Sequence, residues 1–369
     1  MISNILLTVA LLCGINGLLA LFLIIAERFF LNYGPCTITV NESKTVRVPG
    51  GSSLLSTLNN EKIFLPSACG GRGTCGTCKC RITQGAGPLL PTEMPLLTQK
   101  EIADQIRLAC QVKVKRDLSI RIPEALFSIK EFKAQVTLIK DLTYDIKLIR
   151  FKILGDDEIL FKPGQYVQLQ SVSYDDVKES VSRAYSIASS SDEKKSIDLM
   201  IRLVPEGICT TWVHQYLSEG DEVRFTGPMG DFCLCEGTGE IIMVAGGSGM
   251  APIVSFLRYL IQTKSKRKVT YFFGAVTKKD LFYLDEMKRF EKEMVDFTFI
   301  PALSQPEPDD QWDGETGLIT VPMKKYIQQI DTETCQAYLC GSPGMIKACV
   351  QILNENGVTS DRIFYDPFA

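Results

Sequence analysis

Four cysteines have the spacing of metal ligands. Cys69, Cys75 and Cys78 lie in one glycine-rich stretch and Cys110 follows at a distance, which gives the pattern C-x5-C-x2-C-x31-C. Plant-type [2Fe–2S] sites use a C-x4-C-x2-C loop with a remote fourth cysteine, so this loop is one residue longer. Glycines permit positive φ angles and turn backbone N–H groups towards a negative cluster. The spacing therefore predicts a [2Fe–2S] cluster on these four cysteines.

Two other interpretations of the cysteines are a zinc site and a set of buried structural thiols. A zinc ribbon has two separated C-x2-C pairs, whereas the fourth cysteine here stands alone. Cys80, two residues past Cys78, is expected to pack in a strand and to lie outside the ligand set. The chain contains one histidine, His214, which excludes a Rieske centre and zinc sites built on several histidines.

A second group of residues has the chemistry that a flavin needs. A predicted strand carries Arg183, Ala184, Tyr185 and Ser186. The arginine fork suits a pyrophosphate, the tyrosine ring can stack on the isoalloxazine, and the serine hydroxyl can bond flavin N5. A turn then opens a helix whose N-terminus suits the pyrophosphate. The candidate FAD ligands on this turn are Gly207, Cys209, Thr210 and Thr211. His214 lies further along the helix, where we expect a peripheral position.

A third group suits a nicotinamide dinucleotide. A buried strand over residues 241–245 is followed by a glycine turn and a helix, and glycines let a dinucleotide approach the backbone. Gly274 closes the next strand, and Cys340 and Gly341 end a later one, where a thiol could touch the nicotinamide. Two lysines, 278 and 279, follow the second strand and leave the choice between NADH and NADPH open. The candidate turn residues are Gly246, Gly247, Ser248, Gly249, Met250, Ala251 and Pro252.

Three folded segments must position these residues. Residues 36–125 show short β-rich pieces around the cysteines, and residues 131–235 show strands separated by turns. Residues 239–369 alternate strand and helix, which predicts a doubly wound parallel sheet with ligands at the carboxyl ends of its strands. We therefore predict a multidomain α+β and α/β protein with a ferredoxin-type, an FAD-binding and an NADH-binding domain over these ranges.

The N-terminal segment is apolar. Residues 2–25 carry no charge, and as a helix they would be about 36 Å long at ~1.5 Å per residue, enough for a bilayer core of ~30 Å. Arg28, Lys44 and Arg47 follow it. Because basic residues stay on the cytoplasmic side, the segment predicts a single-pass anchor in the inner (cell) membrane with the folded domains in the cytoplasm.

Bulk composition fits an ordinary folded protein. The chain has 369 residues, with 45% hydrophobic and 22% charged residues and a net charge of −3. The absence of a basic run with interleaved aromatics argues against a nucleic-acid partner. Thirteen cysteines, an odd number, do not match a secreted disulfide framework.

In their order along the chain, these parts resemble the F subunit of the sodium-translocating NADH:quinone oxidoreductases over essentially the full length. The terminal Asp366-Pro367-Phe368-Ala369 belongs to the match. The resemblance implies a β-grasp ferredoxin domain, a six-stranded antiparallel FAD barrel and an NADH domain. It implies that Phe368 stacks on the isoalloxazine where nicotinamide enters, and that NADH is the donor. The residues expected at the reacting groups are Tyr185, Ser186, Cys340 and Phe368.

The resemblance also implies a reaction sequence. Hydride passes from NADH to FAD, and single electrons then pass to the cluster, to other membrane subunits and finally to quinone. The last three domains also resemble the wider ferredoxin–NADP⁺ reductase family, so a reductase component of a membrane oxygenase is the alternative enzyme. A non-enzymatic anchored electron carrier or redox sensor is the alternative from another class. Two departures from the family are a short stretch from Tyr166 to Ser182 and Ser342 in place of a proline.

Overall fold

The structure, a computed structural model, describes residues 11–22 and 33–368. The chain divides into two compact units, Met1–Ser128 and Ile129–Ala369. Residues 11–22 are helical and their side chains are exposed. Within the described ranges, no helix combines the length and the apolar character needed to cross a bilayer. Of the predicted anchor over residues 2–25, residues 2–10 and 23–25 lie outside the described residues.

The first unit contains a mixed five-stranded sheet with strand order β2-β1-β5-β3-β4. β1 is antiparallel to β2 and parallel to β5, while β3 is antiparallel to β4 and β5. The sequence alternates over residues 37–40 and 45–48 around a turn at 41–43, which predicts a hairpin. The structure confirms it, since Asn41 and Glu42 have positive φ and turn β1 into β2. The strands are β1 (Pro35–Val40), β2 (Lys44–Pro49), β3 (Lys79–Gln84), β4 (Ile106–Leu108) and β5 (Leu118–Arg121).

Two short helices complete this unit, α1 (Leu54–Asn60) and α2 (Gln99–Ala103). The sequence predicts a short helix over residues 52–58 after two glycines. The Ser53 hydroxyl accepts a hydrogen bond from the Ser56 N–H at 3.2 Å, so the helix begins two residues later, at Leu54. A capping box between Thr98 and Glu101 starts α2. Each cap satisfies backbone N–H groups that the first helical turn leaves without partners.

The second unit begins with six antiparallel strands in the order β10-β7-β6-β11-β8-β9. A bridge between Ile187 and Leu199 joins the chain after β9 to β10, so the sheet nearly closes into the expected barrel. Its apolar interior follows the alternation of inward and outward residues along each strand. The elements are β6 (Lys130–Asp141), β7 (Ile146–Ile153), β8 (Tyr166–Gln170), β9 (Ser182–Ser186), β10 (Ser196–Arg202), α3 (Ile208–Gln215) and β11 (Glu222–Met229).

One local prediction in this barrel is wrong. Residues 227–232 have the composition of a closing turn, but Gly227 pairs with Lys130 and Met229 pairs with Tyr166, so β11 continues to Met229. The chain turns only at Gly230, where φ is 100°. Pairing on both sides of the strand outweighs the turn preference of glycine and proline.

The rest of the unit is a parallel sheet with strand order β15-β14-β13-β12-β16-β17. Buried side chains cover both of its faces, with helices packed on each, as a doubly wound fold requires. The order reverses between β12 and β16, which is where such sheets bind ligands. The elements are β12 (Ile241–Gly246), α4 (Met250–Gln262), β13 (Val269–Ala275), α5 (Leu284–Glu293), β14 (Phe297–Leu303), β15 (Glu315–Thr316), α6 (Thr320–Ile327), β16 (Gln336–Gly341), α7 (Pro343–Glu355) and β17 (Ile363–Pro367).

Candidate functional site

The four predicted cluster ligands come together as two pairs of thiols. The Sγ atoms of Cys69 and Cys75 are 3.3 Å apart. A hydrogen bond between the Cys78 and Cys110 side chains raises the pKa of Cys78 above its usual range and lowers the pKa of Cys110 to about 7. A [2Fe–2S] cluster takes four cysteine thiolates, two on each iron. The pairs match that division, so these residues fit the cluster.

The surroundings of the pairs favour negative sulfur. Burial alone would raise the pKa of Cys69, but hydrogen bonds from the backbone at Thr74 and Cys75 lower it to about 6. The side-chain amide of Gln111 donates to the Cys110 sulfur at 3.6 Å. In the part of the chain that the structure describes, no three histidine, cysteine, aspartate or glutamate side chains are grouped so as to hold a single metal ion.

The glycines of this loop have the backbone angles that the sequence predicts. Gly70, Gly71, Gly73 and Gly76 have φ values of 65°, 89°, 76° and 69°. A Cβ atom on Gly73 would lie 2.3 Å from the amide nitrogen of Gln111. Only a residue without a side chain adopts such angles at low cost. The glycines therefore give the loop the tight path that brings Cys75 back to Cys69.

A buried ion pair holds the strand that leads to the fourth cysteine. Arg107 Nη2 lies 2.5 Å from Glu93 Oε2, and their side chains are 8% and 0% exposed. Glu93 also accepts the Leu108 N–H at 3.0 Å, while Arg107 donates to the Pro88 carbonyl oxygen at 3.0 Å. The pair fixes the segment around Pro88 against β4, two residues before Cys110. The sequence contains no local pattern that pairs these residues, and they were not predicted.

Cys80 lies in β3 and is 2% exposed. Burial raises the pKa of its thiol to about 12. It is therefore a neutral, packed side chain, in line with the prediction that it stands outside the ligand set.

The predicted flavin residues lie on β9, from Arg183 to Ser186. Arg183 joins none of the ion pairs among the described residues, and its guanidinium donates to the Ser182 carbonyl oxygen at 2.7 Å. A half-buried cation without a carboxylate is available to an anion such as a pyrophosphate. Ser186 is 4% exposed, and Ala184 between them is half-buried.

The hydroxyl of Tyr185 is buried and has no oxygen or nitrogen partner among the described residues. Burial raises its pKa well above the ordinary value of 10.0, and the neighbouring Cys209 thiol, a weak hydrogen-bonding group, adds to the shift. Buried polar atoms nearly always have a strong partner, so this hydroxyl has the character of a group that a ligand completes. Together with Arg183, it shows that β9 fits an FAD molecule.

The helix start opposite this strand contains the other predicted flavin ligands. Gly207 is the N-cap of α3, Cys209 and Thr210 are buried in its first turn, and Thr211 is half-buried. The Thr210 hydroxyl accepts the Val204 N–H at 3.1 Å, so it closes the turn internally. Backbone N–H groups at the helix start, rather than this hydroxyl, are therefore the available donors for a pyrophosphate.

His214 lies in the last turn of the same helix. Its Nε2 atom is 3.0 Å from the Ile201 carbonyl oxygen, and burial lowers its pKa. The ring holds α3 against β10, which agrees with the expected peripheral position.

The predicted nicotinamide turn connects β12 to α4. Gly246 ends the strand, a single 3-10 turn covers Gly247–Gly249, and α4 begins at Met250. Gly247 has a φ of 55°, and a Cβ on Gly249 would lie 2.4 Å from the Cys340 carbonyl oxygen. The turn therefore lies directly against β16, a contact that only a residue without a side chain permits at Gly249. The residues of α4 that follow, Met250, Ala251 and Pro252, are buried.

A cavity of about 430 Å³ opens beside this turn. Its walls include the predicted Gly246, Gly247 and Gly274, and also charged groups that sequence reasoning missed. These are Asp145 and Arg202 from the barrel and Asp280 from the turn after β13. Arg202 Nε lies 2.7 Å from Asp145 Oδ2. They could not be assigned from the sequence because the barrel and the sheet must first be packed together.

Cys340, Gly341 and Phe368 meet at the carboxyl end of β16. Cys340 is fully buried and pairs in register with Asp366 on β17. The Phe368 N–H donates to the Gly341 carbonyl oxygen at 2.8 Å. Burial raises the pKa of Asp366 to about 6, and it raises that of Cys340 well above 9.0. The sequence analysis assigned no role to Asp366 beyond its membership in the terminal motif. The structure shows that its carboxyl group is partly buried and that it lies on β17 beside Cys340.

Lys278 and Lys279, the two lysines that could have bound a 2′-phosphate of NADPH, contact a neighbouring loop instead. The Lys278 ammonium donates to the Asp310 carbonyl oxygen at 2.7 Å, and the Lys279 ammonium lies 3.0 Å from a Glu307 carboxylate oxygen. Neither lines the cavity, whereas Asp280, the next residue, does.

The fold and these sites define a flavin-dependent reductase with a fused ferredoxin-type domain. Three family matches agree with the three sheets: a 2Fe-2S iron-sulfur cluster binding domain at residues 38–115, an oxidoreductase FAD-binding domain at 133–233 and an oxidoreductase NAD-binding domain at 243–351. The chain belongs to the F-subunit family of the Na⁺-translocating NADH-quinone reductases. The F subunit from Serratia proteamaculans is 34% identical over 99% of both chains, and that from Psychrobacter cryohalolentis is 36% identical over 96% of both.

Solved structures have the same fold. The cytochrome P450 reductase GcoB of Amycolatopsis superposes with a TM-score of 0.72 at 27% identity, covering 90% of this chain and 98% of that one. A ferredoxin reductase in carbazole 1,9a-dioxygenase gives a TM-score of 0.70 at 25% identity, covering 91% and 98%.

Proposed function

We propose that this chain is the electron-entry subunit of an NADH:quinone reductase, with the predicted domains at residues 36–125, 131–235 and 239–369. When bound, NADH supplies a hydride, FAD takes up the electron pair and releases electrons singly, and the [2Fe–2S] cluster carries one electron at a time. The observation that carries the proposal is the presence in one chain of two thiol pairs, a flavin strand and a nicotinamide turn.

The barrel holds and orients the flavin. Arg183 would neutralise pyrophosphate charge, since none of the described carboxylates pairs with its guanidinium. The Tyr185 ring would pack along the isoalloxazine, where its buried hydroxyl could gain a partner. The Ser186 hydroxyl would donate to the edge of the ring at N5. No side chain has to act as an acid or a base, because hydride transfer is the chemistry of the cofactors.

The parallel sheet presents the nicotinamide. The turn at Gly247 admits the dinucleotide, and Cys340 lies at the strand end where the nicotinamide ring would rest. Phe368 covers that position and must move aside as the ring enters. The backbone hydrogen bond from Phe368 to Gly341 is a modest restraint on such movement.

The charges in the cavity favour NADH over NADPH. Arg202 is paired with Asp145, which leaves Asp280 as the unpaired charge among these three. The lysines nearby are engaged by Glu307 and by the Asp310 carbonyl group. A 2′-phosphate would meet a carboxylate instead of a free cation, whereas a ribose hydroxyl can donate to it.

The names of the relatives support our inference of the partner and the location. The curated relatives are named as subunits of a Na⁺-translocating NADH-quinone reductase. We infer other membrane subunits as electron acceptors, quinone as the final acceptor, and a single-pass anchor at residues 2–25 that keeps the folded units at the cytoplasmic side of the inner membrane. Ion translocation would belong to the partners, since residues 2–25 contain no charge for an ion path.

Anaerobic titration of the purified chain with NADH tests the proposal. We expect bleaching of the FAD absorbance, then reduction of the cluster seen by its electron paramagnetic resonance signal, and turnover with ferricyanide. A protein that contains both cofactors and is not reduced by NADH would instead be a non-enzymatic carrier or redox sensor. NADPH serves as the parallel substrate and should react far more slowly.

A second candidate is the reductase component of an oxygenase. The similarity to the P450 reductase and to the carbazole dioxygenase reductase favours it. Purification from native membranes, with identification of the proteins that accompany the chain, separates the two. Multi-spanning quinone-reductase subunits support our proposal, and an oxygenase overturns it.

A further inference from the structure

Ala188 and Ser189, which follow β9 shortly after Ser186, are hydrogen-bonded to two different elements, β10 and α4. Ala188 and Ser189 are both 0% exposed. On the barrel side, the Ala188 N–H donates to the Asp198 carbonyl oxygen at 2.8 Å. The Asp198 N–H donates to the Ser189 hydroxyl at 3.2 Å. These bonds fix the segment that directly follows β9, the strand with the predicted flavin ligands, against β10.

The other side of the same two residues is held by α4. The Ser255 hydroxyl donates to the Ser189 carbonyl oxygen at 2.9 Å, and the Arg258 guanidinium donates to the Ala188 carbonyl oxygen, also at 2.9 Å. This helix begins at Met250, directly after the glycine turn. The segment that follows the flavin strand is thus bonded to the helix that follows the nicotinamide turn.

A buried carboxylate reinforces the contact. Asp198, with a side chain 2% exposed, receives both Nε and Nη2 of Arg150 at 2.7 and 2.8 Å. Arg258 Nη1 lies 3.6 Å from the same carboxylate. Because Arg258 contacts both the carboxylate and the Ala188 carbonyl group, its guanidinium is held in one orientation.

We propose that Ser255 and Arg258 are positioning residues for hydride transfer, an inference that rests on the proposed function. Only two residues, Ile187 and Ala188, lie between Ser186 and Ser189, and Met250 is about 12 Å from Arg258 along the helix at ~1.5 Å per residue. The bonds therefore set the spacing between the flavin edge and the nicotinamide turn. A misplacement of ~1 Å can slow an enzymatic reaction by ~100-fold, so small changes in this spacing alter the rate.

A contact that only stabilised the fold would behave differently. Its loss would lower the unfolding temperature and the FAD content, but each remaining FAD would be reduced at the normal rate. Loss of a positioning contact lowers the rate for each bound FAD. It also increases the primary deuterium isotope effect, because the transferred hydrogen must cross a longer distance.

The test uses the full chain with FAD and cluster bound. Arg258→Met and Ser255→Ala are compared with Arg289→Met, a matched control on α5 that is 50% exposed and pairs with Glu286 within its own helix. Anaerobic stopped-flow measurement follows FAD reduction at saturating NADH, with and without deuterium at the transferred position. We expect a loss of about tenfold for Arg258→Met and a smaller loss for Ser255→Ala. Arg258→Lys should recover part of the rate, since it restores a donor.

The proposal is overturned if the rate per bound FAD and the isotope effect are unchanged in Ser255→Ala and in Arg258→Met. If Arg258→Met loses FAD, Ser255→Ala decides, because it removes a single hydroxyl. A wild-type chain that NADH does not reduce refutes the proposed function itself, which separates that failure from a failure of this inference.

Discussion

The cluster loop and the nicotinamide end of the parallel sheet are built in opposite ways. The cluster loop depends on four side chains, Cys69, Cys75, Cys78 and Cys110, of which three lie within one short stretch. The nicotinamide end depends on backbone: a glycine turn after β12, the end of β16 and a cavity whose wall includes barrel residues. The first site concentrates its function in a few atoms, and the second distributes it over a surface.

This difference predicts how each site responds to a single substitution. Loss of one ligand should abolish the cluster, whereas loss of one side chain at the nicotinamide end should change rates or preferences without abolishing them. Four substitutions test that contrast, and three of them are paired with a control variant.

The largest effect is expected for Cys75→Ser. Removal of one of four thiolates should eliminate the [2Fe–2S] absorbance and the resonance signal of the reduced cluster, because iron then lacks a complete ligand set. Reduction of FAD by NADH should persist, since its residues belong to the other unit. Cys80→Ala is the control and should retain the cluster. Loss of the signal in both variants would contradict the assignment of the four ligands.

The next effect concerns Glu93→Gln, which leaves Arg107 as a buried charge without its carboxylate. We expect a loss of about 3–5 kcal/mol in the free energy of unfolding, measured by denaturant titration of the cluster absorbance. Glu101→Gln is the matched control, since its pair with Lys79 has side chains 28% and 35% exposed. A surface pair contributes about 1 kcal/mol or less. Equal losses in the two variants would show that burial does not determine how much an ion pair contributes to the free energy of unfolding.

A pH experiment addresses the nicotinamide end through Asp366, whose pKa burial raises to about 6 from an ordinary 3.8. The folded protein then binds this proton more tightly than the unfolded chain, so the free energy of unfolding falls as pH rises from 3.8 to 6. At about 1.4 kcal/mol per pKa unit, and with solvent screening of a partly exposed group, the change is of the order of 2 kcal/mol. Asp366→Asn should remove this part of the pH dependence. If the free energy of unfolding of Asp366→Asn depended on pH as it does in the wild type, the assignment of this pH dependence to Asp366 would be refuted.

The smallest effect is expected for Asp280→Asn, which removes a negative charge from the cavity wall. The amide oxygen can still accept the Thr277 N–H that caps this turn. The ratio of kcat/KM for NADPH to that for NADH should rise about tenfold, which is about 1.4 kcal/mol. Asp285→Asn, at a fully exposed position on α5, should leave the ratio unchanged. Equal ratios in both variants would mean that Asp280 does not read the ribose.

The contrast between the sites also explains what could be predicted from the sequence. The cluster ligands were predicted from spacing, because a loop that supplies three thiolates leaves a local pattern. The β9 motif and the glycine turn were likewise placed on the correct elements. Asp145 and Arg202 were missed because they enter the cavity only when the barrel packs on the sheet. Thr210 was predicted as a flavin ligand at the helix start, and the structure shows that its hydroxyl accepts the Val204 N–H within its own turn.

The positive φ angles of the cluster loop have a genetic consequence. Every amino-acid change that a single base substitution can make in a glycine codon adds a Cβ atom. At Gly70, Gly71, Gly73 and Gly76 each such change places that atom on a left-handed backbone. At these four codons, every amino-acid change that one base substitution can cause is therefore expected to strain the backbone. In a saturation mutagenesis screen they should tolerate almost as few alleles as the three cysteine codons of the same loop, although glycine itself binds no iron.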